Sequence, residues 1–192
     1  MILKWKGLLS ETNRFPEKDV PKDSVEFLNP SSKLAPYTPV IPILILIIVS
    51  IYLKRFLIGQ FHLDIKGMII GLLLTIPFFI IHEFIHAAFL PRDCTAEIFY
   101  SPAGISIIPC TPILKSRYAV ILIAPALIIG LIPLLIWTFV PITNITLSSL
   151  VFILSIGNLG GTTNDFYNLS QVIKKMPKNS FMITSGTRCY YY

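Results

Sequence analysis

Residues 67–90 read GMIIGLLLTIPFFIIHEFIHAAFL, a run long enough and apolar enough to cross a membrane. Its only ionisable side chains lie in one string, His82-Glu83-Phe84-Ile85-His86. On a helix, residues four apart project from one face, so His82 and His86 can offer two imidazole nitrogens to one metal ion. Ionisable groups at membrane depth are costly and indicate function by default. The stretch therefore predicts a membrane helix that carries part of a metal site.

The composition of the whole chain also indicates a membrane protein. Hydrophobic residues make up 54% of the 192 residues and charged residues 14%, with a mean hydropathy of +0.71. Four segments are apolar enough to span a membrane, namely residues 39–53, 67–90, 118–140 and about 145–167. The loop at residues 95–108 has a strand, turn, strand pattern. The predicted fold class is thus an all-α membrane protein with about four transmembrane helices and a small β-hairpin between the second and third.

The basic residues favour one orientation in the membrane. If both termini are cytoplasmic, only Lys54, Arg55 and Lys66 of the 16 Lys and Arg lie outside, as the positive-inside rule prefers. The sequence then divides into a polar cytoplasmic segment (1–38), a membrane-embedded region (39–175) and a C-terminal tail (176–192). We expect a multi-pass protein of the plasma membrane. Although the net charge is +6, the basic residues form no stripe with aromatic platforms, so the lipid bilayer is the expected partner and nucleic acid is not.

The metal site needs a third protein ligand, because a catalytic zinc ion takes three and leaves one position open. The candidates are Asp64, Asp93, Cys94, Glu97 and Asp165. Asp165 is the carboxylate that lies in a span-like segment. At 1.5 Å per residue it lies roughly 30 Å along the fourth span and His82 roughly 24 Å along the second, and both spans run inward. We therefore predict Asp165 as the third ligand. The alternative is that Asp165 marks the point where the fourth helix leaves the membrane.

Three features near this site allow two interpretations each. Asn158 could bind a substrate peptide group or form an interhelical hydrogen bond. The glycines at 157, 160 and 161 could allow close helix packing or an unwound stretch beside a cavity. The predicted hairpin could accept a substrate as an added strand or rest on the membrane surface. Cys94, Cys110 and Cys189 are too few and too scattered for a disulfide framework or a thiolate zinc site. Cys94 and Cys110 could still form a pair, but we expect free thiols because the predicted topology puts that loop in a reducing cytoplasm.

The string HEFIHAAF at the inner end of a span, a β-prone loop, a proline-containing hydrophobic helix and a later span ending in Asn164-Asp165 resemble a known family. It is the zincin peptidase family of bacterial membrane proteins, grouped under a domain of unknown function, and the site-2 proteases are more remotely similar. The resemblance implies that His82 and His86 are zinc ligands, Glu83 is the catalytic acid/base and Asp165 is the third ligand. Unlike site-2 proteases, this chain has no glycine after the aspartate.

The leading hypothesis is a Zn²⁺-dependent intramembrane endopeptidase that hydrolyses membrane or juxtamembrane peptide through a metal-activated water, with Glu83 as general base. Its partner would be a membrane protein or peptide substrate. One alternative is a non-catalytic accessory protein with a structural metal or none. A small transporter that uses the histidines as a proton or metal relay is a third hypothesis.

Overall fold

The computed structural model describes residues 1–28, 33–59, 61–102 and 104–192. Its helices are α1 (Val40–Ile58), α2 (Ile65–Ala88), α3 (Lys115–Pro125), α4 (Ile132–Phe139), α5 (Ile145–Gly161) and α6 (Thr163–Lys175). Its strands are β1 (Ile2–Leu8), β2 (Val25–Glu26), β3 (Thr95–Ser101), β4 (Gly104–Pro109), β5 (Ile113–Leu114), β6 (Phe181–Ser185) and β7 (Arg188–Tyr191). A π-helical stretch, Ala126–Leu131, joins α3 to α4.

The prediction of an all-α fold is wrong, because the chain also forms two β-sheets. Their strand orders are β1-β3-β4 and β2-β7-β6-β5. β1 pairs in parallel with β3, and β2 pairs antiparallel with β7, so each sheet joins segments that are far apart in sequence. Such short strands carry a weak local signal, and their stability comes from the partner strand. The regions 1–38 and 176–192 therefore contain strands that their own sequences did not reveal.

The hairpin between the second and third apolar segments is present as β3 and β4. Their antiparallel register runs from Ala96 opposite Pro109 to Ser101 opposite Gly104. Ala103, which belongs to the predicted turn, lies outside the described residues. β4 packs against α2, which carries the histidines, so the hairpin is attached to the helix of interest.

Three helical segments are long and apolar enough to cross a membrane: Ala35–Ile58, Ile65–Ala88 and Lys115–Phe139. α5 and α6 would make a fourth if they are counted as one span, although they meet at an angle of 46°. Many of their apolar side chains are exposed, including Ile48 and Phe56 of α1 and Leu72 of α2. Exposed apolar surface of this extent indicates contact with lipid.

α2 and α5 run parallel in close contact at a constant offset of 82 residues. Added Cβ atoms at Gly67 and Gly71 would meet Ser149 and Ile153 at 2.8 and 3.0 Å. One at Gly157 would meet Thr75, and one at Gly161 would meet Phe79. Glycine lets the two backbones approach this closely. The expectation that the second and fourth apolar segments run in the same direction is confirmed.

A buried lysine stabilises the end of the helix bundle that lies away from His82 and His86. Lys54 of α1 is only 3% exposed, and its Nζ donates hydrogen bonds to the carbonyl oxygens of Trp137 and Val140, at 2.6 and 2.9 Å. These carbonyls end α4, where the helix dipole is negative. The ammonium group also lies 5.2 Å from the centre of the Trp137 ring. These hydrogen bonds and the ring contact therefore explain how the charge of Lys54 can be buried.

Candidate metal centre

Three donor atoms converge at the end of α2. His82 Nε2 and His86 Nε2 lie 3.0 Å apart, as expected for side chains one helical turn apart on one face. Asp165 Oδ2 lies 3.0 Å from His82 Nε2 and 3.4 Å from His86 Nε2. Among the described residues, this trio is the group of His, Cys, Asp and Glu side chains whose spacing could hold a metal ion. Their role as metal ligands stays a prediction.

The donor set fits zinc. In a tetrahedral zinc site with bonds of about 2.0–2.1 Å, neighbouring ligand atoms lie roughly 3.3 Å apart. The observed separations of 3.0, 3.0 and 3.4 Å are close to that value. Two imidazoles and one carboxylate are also a ligand combination found in catalytic zinc sites, with a fourth position open.

The bend between α5 and α6 brings Asp165 to this point. Thr162 ends α5, and its hydroxyl donates to the carbonyl of Leu159 at 2.8 Å. Thr163 likewise donates to Gly160 O at 2.7 Å, so hydroxyl groups satisfy carbonyls at the break. Asp165 then lies in the first turn of α6, where the helix dipole stabilises a carboxylate.

The second ring nitrogens of the two histidines differ in environment. His86 Nδ1 lies 2.7 Å from the carbonyl oxygen of Ile121 in α3. The carbonyl can only accept, so Nδ1 carries the hydrogen and Nε2 presents its lone pair to the centre. His82 Nδ1 is buried and has no hydrogen-bond partner among the described residues. α3 therefore orients one of the two imidazoles.

Glu83, His86 and Asp165 line a cavity of about 340 Å³. Ile107 of β4 lines the same cavity as Glu83. The remaining walls come from α3, from residues 106–109 of β4 and from the β6–β7 hairpin, and they are mostly apolar. A carboxylate beside two imidazoles in such a cavity can move a proton next to the candidate metal position.

The N-terminal segment closes one side of the cavity. Phe15 lines it and packs edge-on against Phe99, with ring centres 5.2 Å apart. Lys18 donates from its backbone N–H to Ser185 Oγ and from Nζ to the carbonyl of Pro109, both at 2.9 Å. Burial lowers the pKa of Lys18 below its ordinary value. Residue 18 therefore ties the end of β4 to β6.

Asn158 is not among the residues that line the cavity. Its side chain is fully buried, and its Nδ2 donates to the carbonyl of Leu154 at 2.7 Å, while Oδ1 has no hydrogen-bond partner among the described residues. Its substrate-binding role stays a prediction. Close packing holds for Gly157 and Gly161, whereas an added Cβ at Gly160 would meet no atom within 4 Å.

The other candidate ligands lie outside the trio. Asp64 caps the start of α2 and accepts from Gly67 N–H at 3.0 Å and from the Thr146 hydroxyl at 2.9 Å. Glu97 pairs with Lys6 at 3.2 Å. The three cysteines are free, as expected, and burial raises the pKa of the Cys189 and Cys110 thiols.

Sequence reasoning missed several groups at the site. Asn168 lines the cavity one helical turn after Asp165, so its spacing on α6 could have revealed it. The β6–β7 hairpin had a turn signal at Gly186, whose φ of 58° suits glycine. The carbonyl of Ile121 had no signal, because every residue carries one.

These features define a protein with helices long and apolar enough to cross a membrane and a His-His-Asp group beside a glutamate. Residues 75–181, more than half of the chain, match the family described as putative zincin peptidase, and the chain belongs to that family. No curated protein and no solved structure matches the chain.

Proposed function

We propose that this protein is a zinc-dependent intramembrane endopeptidase that hydrolyses peptide bonds of membrane or juxtamembrane substrates. One observation carries the proposal: the carboxylate of Asp165 lies 3.0 and 3.4 Å from the two histidines of the HEFIH string. A third donor from another helix completes the protein ligands that a catalytic zinc ion takes. The family membership supports the same reaction class.

His82, His86 and Asp165 would hold the zinc ion, which, when bound, supplies Lewis acidity toward a water molecule and a peptide carbonyl. Glu83 would accept a proton from the attacking water and return it to the leaving amine. Glu83 lines the cavity together with Ile107 of β4, on the side of α2 where the substrate would lie. The carbonyl of Ile121 keeps His86 in the tautomer that binds through Nε2.

The position of β4 at the edge of its sheet is evidence for a peptide substrate. β4 is the last strand of its sheet, and its residues 106–109 line the cavity beside Glu83. An extended peptide could add to this edge as a further strand, with its backbone hydrogen-bonded to β4. Hydrolysis requires an extended peptide, and this arrangement would hold one next to the three donor atoms.

We also propose that the protein crosses the plasma membrane several times with both termini in the cytoplasm. The positive-inside rule supports this orientation, since 13 of the 16 Lys and Arg then lie inside. The two sheets and the cavity would lie at the cytoplasmic face, where an extended peptide and water have access.

The test is the variant Glu83→Gln in detergent-purified protein. Glutamine keeps the size of the side chain but cannot accept a proton, so zinc content should stay near one ion per chain while hydrolysis falls at least about 100-fold. Zinc is measured by elemental analysis and hydrolysis with a membrane-peptide substrate found by proteomic comparison of cells with and without the protein. Cleavage by Glu83→Gln at the wild-type rate would sink the mechanism. Zinc-free wild-type protein would contradict the metal site, and zinc-loaded protein without any activity would favour the accessory role.

A further inference from the structure

A second cavity lies on the far side of α3 and α6 from the metal centre. It is a groove of about 480 Å³ between the start of α1, α6 and the α3–π segment, which is α3 together with the π-helical stretch Ala126–Leu131. Its walls are largely apolar, and Pro42, Leu46 and Leu127 are among them. The volume is within the roughly 300–1,000 Å³ typical of small-molecule sites. From Ile123 to Leu131 the groove follows the end of α3 and the π-helical stretch that continues it.

The groove opens at one end into a polar pocket. Thr38, Ser170 and Lys174 line both cavities, and the polar pocket also contains Gln171 and Lys175. The apolar groove therefore continues directly into the polar pocket, which contains the ammonium groups of Lys174 and Lys175.

The charge at this end is uncompensated. Lys174 is exposed and has no ion-pair or hydrogen-bond partner in the described part of the chain, while Lys175 donates to the carbonyl of Phe27 at 3.0 Å. No aspartate or glutamate is among the described residues that line either cavity. An anion would be attracted here, and a basic pocket between membrane helices suits a lipid headgroup.

From this arrangement we propose that the groove binds one anionic phospholipid from the leaflet on the side of the two sheets. An acyl chain lies between α1 and the α3–π segment, and the phosphate group contacts Lys174. A zwitterionic lipid offers the same chain but adds a positive group near two lysines, so it binds less tightly.

The lipid site is adjacent to the metal centre. Phe166, which lines the groove, directly follows Asp165 on α6. Ile123 lines the groove, whereas Ile121 faces His86 from the same helix. A bound lipid therefore contacts the helix that carries the third donor, but its binding does not depend on the proposed function.

Native mass spectrometry of the detergent-purified chain tests the proposal, with phosphatidylglycerol and phosphatidylcholine of identical acyl chains as probes. We expect tighter binding of phosphatidylglycerol. Lys174→Gln should weaken it about fivefold, the effect of about 1 kcal/mol for one lysine near a charged lipid. Lys178→Gln is the matched control, because Lys178 is exposed near the same end but lines neither cavity, and it should leave the affinity unchanged.

A second pair of variants tests the apolar part. Leu127→Trp fills the groove and should abolish binding of both lipids, whereas Ile128→Trp, at an exposed neighbour outside the groove, should not. Equal affinity for the two lipids, equal losses in Lys174→Gln and Lys178→Gln, or unchanged binding in Leu127→Trp would each overturn the proposal.

Discussion

Asp165 is the side chain on which the candidate metal site depends most. Asparagine at this position keeps the shape but removes the charge, so zinc should bind more weakly. We expect Asp165→Asn to lower zinc affinity by more than about 100-fold. Replacing a residue that only hydrogen-bonds a metal ligand already lowers metal affinity by up to about 100-fold, and Asp165 would be a ligand itself. Zinc titration against a competing chelator measures it.

The control for that variant is His62→Ala. His62 is the third histidine of the chain and lies in the connection between α1 and α2, away from the trio. Its removal should leave zinc affinity unchanged. Equal losses in Asp165→Asn and His62→Ala would show that the trio does not bind the metal.

Asp64 stabilises the folded protein to an extent that depends on pH. The N–H of Gly67, the hydroxyl of Thr146 and the charge of Lys66 lower its pKa below the ordinary value. The stabilisation is therefore present above the ordinary aspartate pKa, about 3.9, and is lost as pH falls through the lower folded value. Asp64→Asn should unfold at a lower temperature than wild type at pH 7, and the difference should shrink as pH falls below the ordinary aspartate pKa. A difference that grows as pH falls would contradict this.

Much of the site could be predicted residue by residue. His82, Glu83 and His86 were predicted from their spacing on one helix, and Asp165 from its depth along the fourth apolar segment, although the structure places it in α6, after a 46° bend. The orientation of His86 could not be predicted, because it depends on a backbone carbonyl in α3. The place of Asn158 was also unpredictable, since a helix period does not tell whether a polar side chain faces a cavity or a neighbouring helix.

At the scale of elements, the contact between α2 and α5 depends on small residues. A methyl group added at Gly67 would lie 2.2 Å from the carbonyl oxygen of Thr146, a backbone atom that cannot move cheaply. We expect Gly67→Ala to destabilise the protein by about 1–3 kcal/mol through overpacking. Thermal unfolding in detergent measures the effect.

Gly160→Ala is the matched control for this interface. It lies in α5, and the added methyl group meets no atom within 4 Å. It should stabilise by up to about 1 kcal/mol, because alanine favours a helix over glycine. If both alanine variants raised the unfolding temperature, close approach at Gly67 would not limit stability.

The helices were more predictable than the strands for a physical reason. A membrane helix satisfies its own backbone and needs only an apolar run, so residues 65–88 carry their signal locally. The two-residue strands β2 and β5 exist only because β7 and β6 supply their hydrogen bonds. The hairpin of β3 and β4 was predictable, since its partner strands are neighbours in sequence.

For the whole molecule, a bound metal should add stability. The proposed ligands come from α2 and α6, so binding requires the folded chain, and a ligand at 100 times its dissociation constant stabilises by about 2.7 kcal/mol. Chelation should therefore lower the unfolding temperature by about 5–10 °C, and zinc should restore it. Asp165→Asn should not respond to either treatment. A chelator effect of equal size in this variant would assign the stabilisation to another site.

The constant 82-residue offset between α2 and α5 has a consequence for insertions and deletions. One residue added within α5 would turn the rest of α5, and α6 that follows it, by about 100° and shift both by about 1.5 Å relative to α2. Asp165 would then point away from His82 and His86, although no side chain had been replaced. A residue added at 141–143, before α5 begins, changes only a connection. Among related chains, length changes should therefore collect in the connections and be rare within these two helices.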